Sequence, residues 1–267
     1  MSELMKNRHL IWKLAKNDFK KRYAGSYMGA LWALVQPVVT VVLYYFVFEV
    51  VFQQRALRLA SGIDAPYVLW LTAGLVPWFY FSEAVMQGMY AFLEYNYLVK
   101  KVVFEIRVLP VVKVLGASFI HVFFAAVMLI LFFAYGQTPY LTLLQLPYYS
   151  LCMFVLIVAI SYTTSAIVVF FRDLAQIINI LMQVGMWATP ILWDLGYLQG
   201  KWEALRIVFK LNPVYYIVNG YRESLFDGRW FWENIPLTLY FWGVTAVLML
   251  IGLGLFKRLR VHFADVL

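Results

Sequence analysis

The chain opens on a basic stretch and then alternates long apolar runs with short polar interruptions, and this alternation predicts its elements. In the first 28 residues Leu10, Ile11, Leu14 and Ala15 share one helical face, while Lys13, Lys16, Lys20 and Lys21 spread over the rest. That pattern predicts an interfacial amphipathic helix with snorkelling lysines, the alternative being a solvated basic tail. It has no short apolar core and no small-residue cleavage site, so it does not read as a signal peptide. A membrane-crossing helix needs about 20 mostly apolar residues. Six stretches meet that length: 29–53, 67–92, 109–135, 147–171, 176–193 and 235–256. The fifth is short and carries Gly185 and Pro190, which predicts a break near the proline. Segment 194–234 mixes charges with apolar patches at 207–209 and 214–218. It is too apolar for a free loop and too interrupted for a span, so short re-entrant helices at the outer membrane face are expected there. The expected class is all-α and polytopic: an N-terminal interfacial helix over 1–28, then a membrane domain over 29–267 with six transmembrane helices.

Composition agrees. At 64% hydrophobic, 13% charged and mean hydropathy +0.75, the chain has more apolar surface than a soluble core of this size can hide. A net charge of +8 would point to nucleic acid in a soluble chain. In a membrane chain it reflects cytoplasmic loops and anionic lipid, so no nucleic-acid partner is expected. With the N-terminus inside, the inner segments hold fifteen Lys and Arg and the outer segments seven. Both termini are therefore expected in the cytoplasm. The outer bases also sit among Asp194, Glu203, Glu223, Asp227 and Glu233, which leaves that face near neutral. The single cysteine, Cys152, excludes an intrachain disulfide.

Catalytic and nucleotide motifs are missing. Gly200-Lys201 is followed by Trp202 and lacks the upstream glycine of a phosphate loop, and there is no HExxH, GxSxG or paired-acid motif. His9, His121 and His262 are far apart, and His121 reads as a hydrogen-bonded packing residue rather than a ligand. Neither a metal site nor covalent catalysis is indicated, and no cofactor is expected on this chain. Glu49 and Glu83 are costly at membrane depth unless they face a cavity, a partner or the outer interface. Aromatics crowd the first two spans: Tyr44, Tyr45, Phe46, Phe48 and Phe52, then Trp70, Trp78, Phe79, Tyr80 and Phe81. An interfacial belt accounts for Trp70 and Trp78 but fits the mid-span Tyr44 and Tyr45 less well. Aromatic faces with hydroxyl handles suit a sugar, although periodicity leaves passage and packing both open. Between spans two and three, residues 96–107 alternate apolar and basic positions at helical spacing. This predicts a short surface helix with Leu98, Val102 and Ile106 available to dock, on the membrane or on a cytoplasmic partner.

Five runs then acquire a joint meaning. They are 22–32 leading to Pro37; 96–101; Phe171-Arg172-Asp173-Leu174 with Thr189-Pro190-Ile191; Asn212-Pro213-Val214 with Arg222; and Phe263-Ala264-Asp265-Val266-Leu267. In this order, with six spans, the chain resembles the permease subunit of type-2 ABC exporters of cell-envelope polysaccharide, the O-antigen, capsule and teichoic-acid family. The resemblance implies a homodimer bound to two separate ATPase subunits, which would hold ATP and Mg. It implies a coupling helix over about 94–108, with Asn96, Leu98, Lys100, Lys101, Phe104, Glu105 and Arg107 at the ATPase. Phe104-Glu105 replaces the Phe-Pro frequent at this place in the family. Spans one, two and five would line the translocation path, with Trp32, Tyr44, Tyr45, Phe48, Trp78, Glu83 and Trp187 along it, and 194–234 would close its outer end. A polar polymer cannot cross about 30 Å of hydrocarbon unaided. Lys20, Lys21 and Arg22 would receive the pyrophosphate of an undecaprenyl-type lipid-linked polymer, and ATP turnover in the partner would shift the coupling helix and open the path. Overall resemblance leans toward teichoic acid as cargo. Three rivals remain: a small-lipid or drug exporter of the same class, a gradient-driven secondary transporter, and a membrane glycosyltransferase or acyltransferase. The second expects internal repeats and paired broken helices, which are not evident; the third lacks its acids and nucleophile.

Overall fold

The computed structural model describes residues 8–22, 27–53, 57–58, 64–99 and 105–266. Its helices, in chain order, are α1 (Arg8–Arg22), α2 (Trp32–Tyr45), α3 (Tyr67–Met89), α4 (Ala91–Glu94), α5 (Asn96–Val99), α6 (Val108–Ala134), α7 (Leu146–Val168), α8 (Leu174–Ala188), α9 (Leu205–Lys210), α10 (Pro213–Arg222), α11 (Ile235–Leu259) and α12 (Phe263–Val266). A two-residue antiparallel ladder, Leu57–Arg58 with Asp64–Ala65, crosses the loop between α2 and α3. Among the described residues five helical stretches are long and apolar enough to cross a membrane: Trp32–Val51, Tyr67–Met89, Val108–Ala134, Leu141–Val168 and Phe231–His262. The fifth expected span is instead a 15-residue apolar helix, α8, about 22 Å long and short of a full crossing. It ends where predicted: Thr189 is extended at φ −95°, ψ 117°, as the residue before a proline must be.

Burial is graded across the bundle. Helix α3 is hydrophobic all round and buried along most of its length, whereas none of the described side chains of the span carried by α2 is fully buried. The core lies between α3, α6, α7 and α10. Helices α7 and α11 close tightly at Gly252, where a Cβ would stand 2.9 Å from the Ala159 carbonyl oxygen and 3.0 Å from Thr163 Oγ1. Helix α1 lays Ile11 and Ala15 on Val108 and Val112 of α6, with Trp12 edge-on to Phe119 at 5.3 Å. Its apolar face thus packs on the bundle while Lys13, Lys16, Lys20 and Lys21 stay exposed.

Segment 194–234 holds short helices, one of them deeply buried. Helix α10 is buried from Val214 to Val218 and wedges between α3 and α7. Asn212 caps it, accepting from the Val214 amide at 3.0 Å, and Pro213 supplies a preformed first turn. The turn before α7 is stitched to the following segment. Gln145 donates to the Arg229 carbonyl oxygen at 2.6 Å and accepts from the Phe231 amide at 3.0 Å, and Thr142 donates to the Ser224 carbonyl oxygen at 2.9 Å.

Candidate functional site: two polar nodes on one buried helix

The first node sits where α1 meets α3 and α6. Lys113, 3% exposed, donates to Asp18 Oδ1 at 2.6 Å and to Glu94 Oε2 at 2.5 Å. Tyr95 donates to the same Asp18 oxygen at 2.8 Å, and burial together with that carboxylate raises its phenol above the ordinary value. Asp18 Oδ2 accepts from Arg22 Nη2 at 3.2 Å, and Arg22 Nη1 reaches Glu83 Oε1 at 3.1 Å. Gln87 closes the ring, accepting from Arg22 at 2.5 Å and donating to Glu83 at 2.6 Å. Each charge buried here has a partner, which is the condition for keeping ions out of water. Glu83 therefore lies at the α1 end of α3. Glu49 is at the opposite end, where it accepts from the Val68 amide at 3.1 Å in the first turn of α3.

Beside the first node lies a pocket of about 370 Å³, lined by Trp32, Pro37 and Thr40 from α2 and Phe79, Ser82 and Glu83 from α3. Trp32 and Glu83, predicted along the path, share its wall, and Arg22 stands behind Glu83 in the node and not on the wall, while Lys20 and Lys21 stay exposed on α1. Lys100, Lys101, Val102 and Phe104 lie outside the described residues. Of the rest of the expected coupling segment, Asn96 and Tyr97 face outward, and Glu105 stands 3.9 Å from Arg107. Leu98 and Ile106, expected to be free to dock, pack instead on a cluster of this chain's own Phe92, Leu109, Phe256 and Phe263. The closing Phe263 is fully buried there, 5.1 Å from the Phe92 ring.

The second node is at the other end of α3. Arg222 of α10, 5% exposed, lies 3.3 Å above the Trp70 ring. It donates to the carbonyl oxygens of Pro190 and Ile191 at 2.7 Å each and of Trp70 at 3.3 Å. Gly74 leaves the room, since a Cβ there would be 2.7 Å from Arg222 Nη2. Asn212 donates to Thr189 Oγ1 at 2.7 Å, so the Thr189-Pro190-Ile191 and Asn212-Pro213-Val214 runs meet at one point. Trp70 is thus a buried seat for a cation and not an interfacial belt residue.

Trp78, expected along the path, is also buried at 4% exposure: its ring fills the space over Gly185 and so joins α3 to α8. The other expected path residues keep open surface. Trp32, Tyr45 and Trp187 are exposed, and Tyr44 and Phe48 are half-buried, with Phe48 5.1 Å from Tyr67. Sequence reasoning missed Gln176, Asn179 and Gln183, which form an exposed amide stripe on α8 beside Trp187. His121 is a buried member of a hydroxyl network, 3.1 Å from Ser150 Oγ and 3.0 Å from the Tyr221 hydroxyl, with Tyr80 stacked on it at 4.5 Å. Among the described residues no group of three His, Cys, Asp or Glu is placed to hold a metal.

The family model described as ABC-2 type transporter matches residues 9–226. The chain belongs to this family. Among curated proteins it is 30% identical over 263 residues to the O-antigen export system permease protein RfbA of Myxococcus xanthus, covering 98% of this chain and 97% of that one. Two proteins of the same description from Klebsiella pneumoniae are 26% and 27% identical over 260 residues, covering 97% of this chain and 95% of each relative. As an ABC-2 transporter of permease type, the chain is a multi-pass membrane protein, and membership implies an ATP-binding partner subunit. Both nodes lie within the matched stretch, whereas α11 and α12 lie beyond it.

Proposed function

We propose that this chain is the membrane-embedded half of an exporter that moves a lipid-linked polysaccharide of O-antigen type across the cytoplasmic membrane. Two copies would form the path, and two ATP-binding subunits carrying ATP and Mg would drive it. The observation that carries this reading is the likeness, along nearly the whole chain, to permeases named for O-antigen export. Teichoic acid draws no support from those relatives, so a glycan is the cargo proposed. The excess of Lys and Arg on the α1 side supports cytoplasmic termini, with the Arg222 node outermost. Helix α8, with α9 and α10, would then complete a sixth, broken crossing.

The uncovered faces of α2 and α8 suit the lining of a path between two copies. An isolated helix facing lipid gains nothing from Gln176, Asn179 and Gln183, whereas glycan hydroxyls or a second copy would use these amides. Trp32, Tyr45 and Trp187 would offer ring faces to sugar C–H groups, with Tyr44, Phe48 and Glu83 behind them. Trp78 would serve as support and not as lining. The segment from Asn96 to Arg107 would meet the ATPase.

The test is a gentle-detergent pull-down of the tagged chain from native membranes, assayed for ATP hydrolysis, with the same chain deleted in parallel. The expected result is a co-purifying ATPase, and glycan retained on the cytoplasmic side of the deletion strain. An intact chain that recruits no ATPase, or a deletion that leaves surface glycan unchanged, refutes the reading.

A further inference from the structure

Arg22 is held unevenly. Its Nη2 is gripped by Asp18 and Gln87, at 3.2 and 2.5 Å. Its Nη1 donates to Glu83 Oε1 at 3.1 Å. Asp18 is matched by Lys113 at 2.6 Å, so Glu83 is the principal counter-charge of the guanidinium. Glu83 also forms part of the pocket wall with Trp32, Pro37, Thr40, Phe79 and Ser82. A carboxylate oxygen on a guanidinium occupies the place that a phosphate oxygen takes in arginine–phosphate pairs. Losing Glu83 would break one bond of Arg22 and leave it anchored by Asp18. The exposed Lys20 and Lys21 add positive charge on the same last turn of α1.

We infer that this pocket receives a phosphate-bearing head group, and that the head group is admitted by displacing Glu83 from Arg22. Glu83 is an internal competitor: it keeps the cation satisfied while the pocket is empty, and it selects for ligands carrying enough negative charge to replace it. A neutral amphiphile does not open the pair. The inference rests on the proposed function in taking the phosphate as part of a lipid, and on the geometry alone for the exchange.

The purified chain, together with whatever ATPase it retains, is titrated in detergent micelles with farnesyl diphosphate, inorganic pyrophosphate and farnesol, with binding read by calorimetry. The wild type is expected to bind farnesyl diphosphate and not farnesol. Glu83→Gln, which keeps the shape but removes the competing charge, is expected to tighten binding by about two- to fivefold, the range set by a part-exposed ion pair. Arg22→Gln is expected to weaken it at least about tenfold. Arg22→Gln alone could act through misfolding, but a gain of affinity on Glu83→Gln cannot. Equal affinity for pyrophosphate supports the anion site and removes the lipid from it. Unchanged or weaker binding after Glu83→Gln overturns the exchange, even where the complex still exports glycan. Tighter binding by a chain that recruits no ATPase overturns the export reading and leaves the exchange standing.

Discussion

Replacing Arg222 separates the contribution of its charge from that of its shape. The side chain makes two bonds of 2.7 Å and one of 3.3 Å to carbonyl oxygens and covers the Trp70 ring at 3.3 Å. Hydrogen bonds involving a charged group contribute about 1.5–3 kcal/mol each, and a desolvated cation–π contact about 2 kcal/mol. Burying the ion costs several kcal/mol, so the net stabilisation is a fraction of that sum. Arg222→Gln removes charge and desolvation together but leaves the Pro190 and Ile191 carbonyls short of donors, for an expected loss of about 3 kcal/mol. Arg222→Lys keeps the buried charge and its desolvation, yet a single ammonium cannot span three carbonyls and stack on an indole. Lysine should therefore be no better than glutamine, the reverse of the usual conservative ranking. The measurement is the denaturant midpoint of the purified chain in mixed micelles, with export of surface glycan scored for each variant. A lysine variant within about 0.5 kcal/mol of wild type would refute the reasoning, because it would mean the fork geometry is unused.

Three further outcomes are expected. In a double-mutant cycle of Asp18→Asn and Lys113→Met, each single change should cost about 3 kcal/mol and the pair much less than the sum, since either alone strands a buried charge; additivity in the same denaturant assay would contradict the buried pairing. Gly252→Ala should push α11 away from Ala159 and Thr163 and cost about 1–3 kcal/mol, while Gly243→Ala, where a Cβ meets open space, should be neutral or stabilising in the same titration. A cysteine at Asn179 should react with a hydrophilic maleimide at least about tenfold faster than one at Leu250 on the exposed flank of α11, because a polar lumen admits the reagent and lipid does not; equal rates would place both in the same environment.

Much of the architecture was legible because apolar runs of the right length leave few alternatives. Helix α3 begins at Tyr67 and α6 at Val108, within one residue of the stretches expected from 67 and 109. The shortness of α8 was legible in Gly185 and Pro190. The polar nodes were not, although they left a trace. Asp18 falls three and four residues after Ala15 and Leu14, on the apolar face of α1, and Lys113 follows Leu109 and Val112 on the buried face of α6. A lone charge of each sign on two apolar faces signals a pair, but a tally of bases by membrane side does not weigh which face each occupies. Trp70 and Trp78 were misplaced for a related reason: the belt rule reads depth along a span, whereas Arg222 and Gly185 on other elements decide what these rings touch. Leu98 and Ile106 were read from helical spacing, and only the arrival of Phe263 from the far end of the chain shows what they cover.

The two nodes have one element in common. Trp70 and Gly74 near one end of α3 hold Arg222, and Glu83 and Gln87 near the other hold Arg22. The 13 residue steps from Trp70 to Glu83 span about 20 Å of helix. Pro77 removes one internal hydrogen bond of this helix, and the close packing around it opposes a bend there. A displacement imposed through Glu94 and Tyr95, which join the expected coupling segment to Lys113 and Asp18, would thus be carried along α3 as a rigid shift and not absorbed on the way. Helices α2 and α8, which contact α3 and are the least buried of the apolar helices, would be the ones to separate in response. Such a division of labour needs a stiff centre with ionic grips at both ends and loosely held flanks, and burial in this bundle is graded in that order.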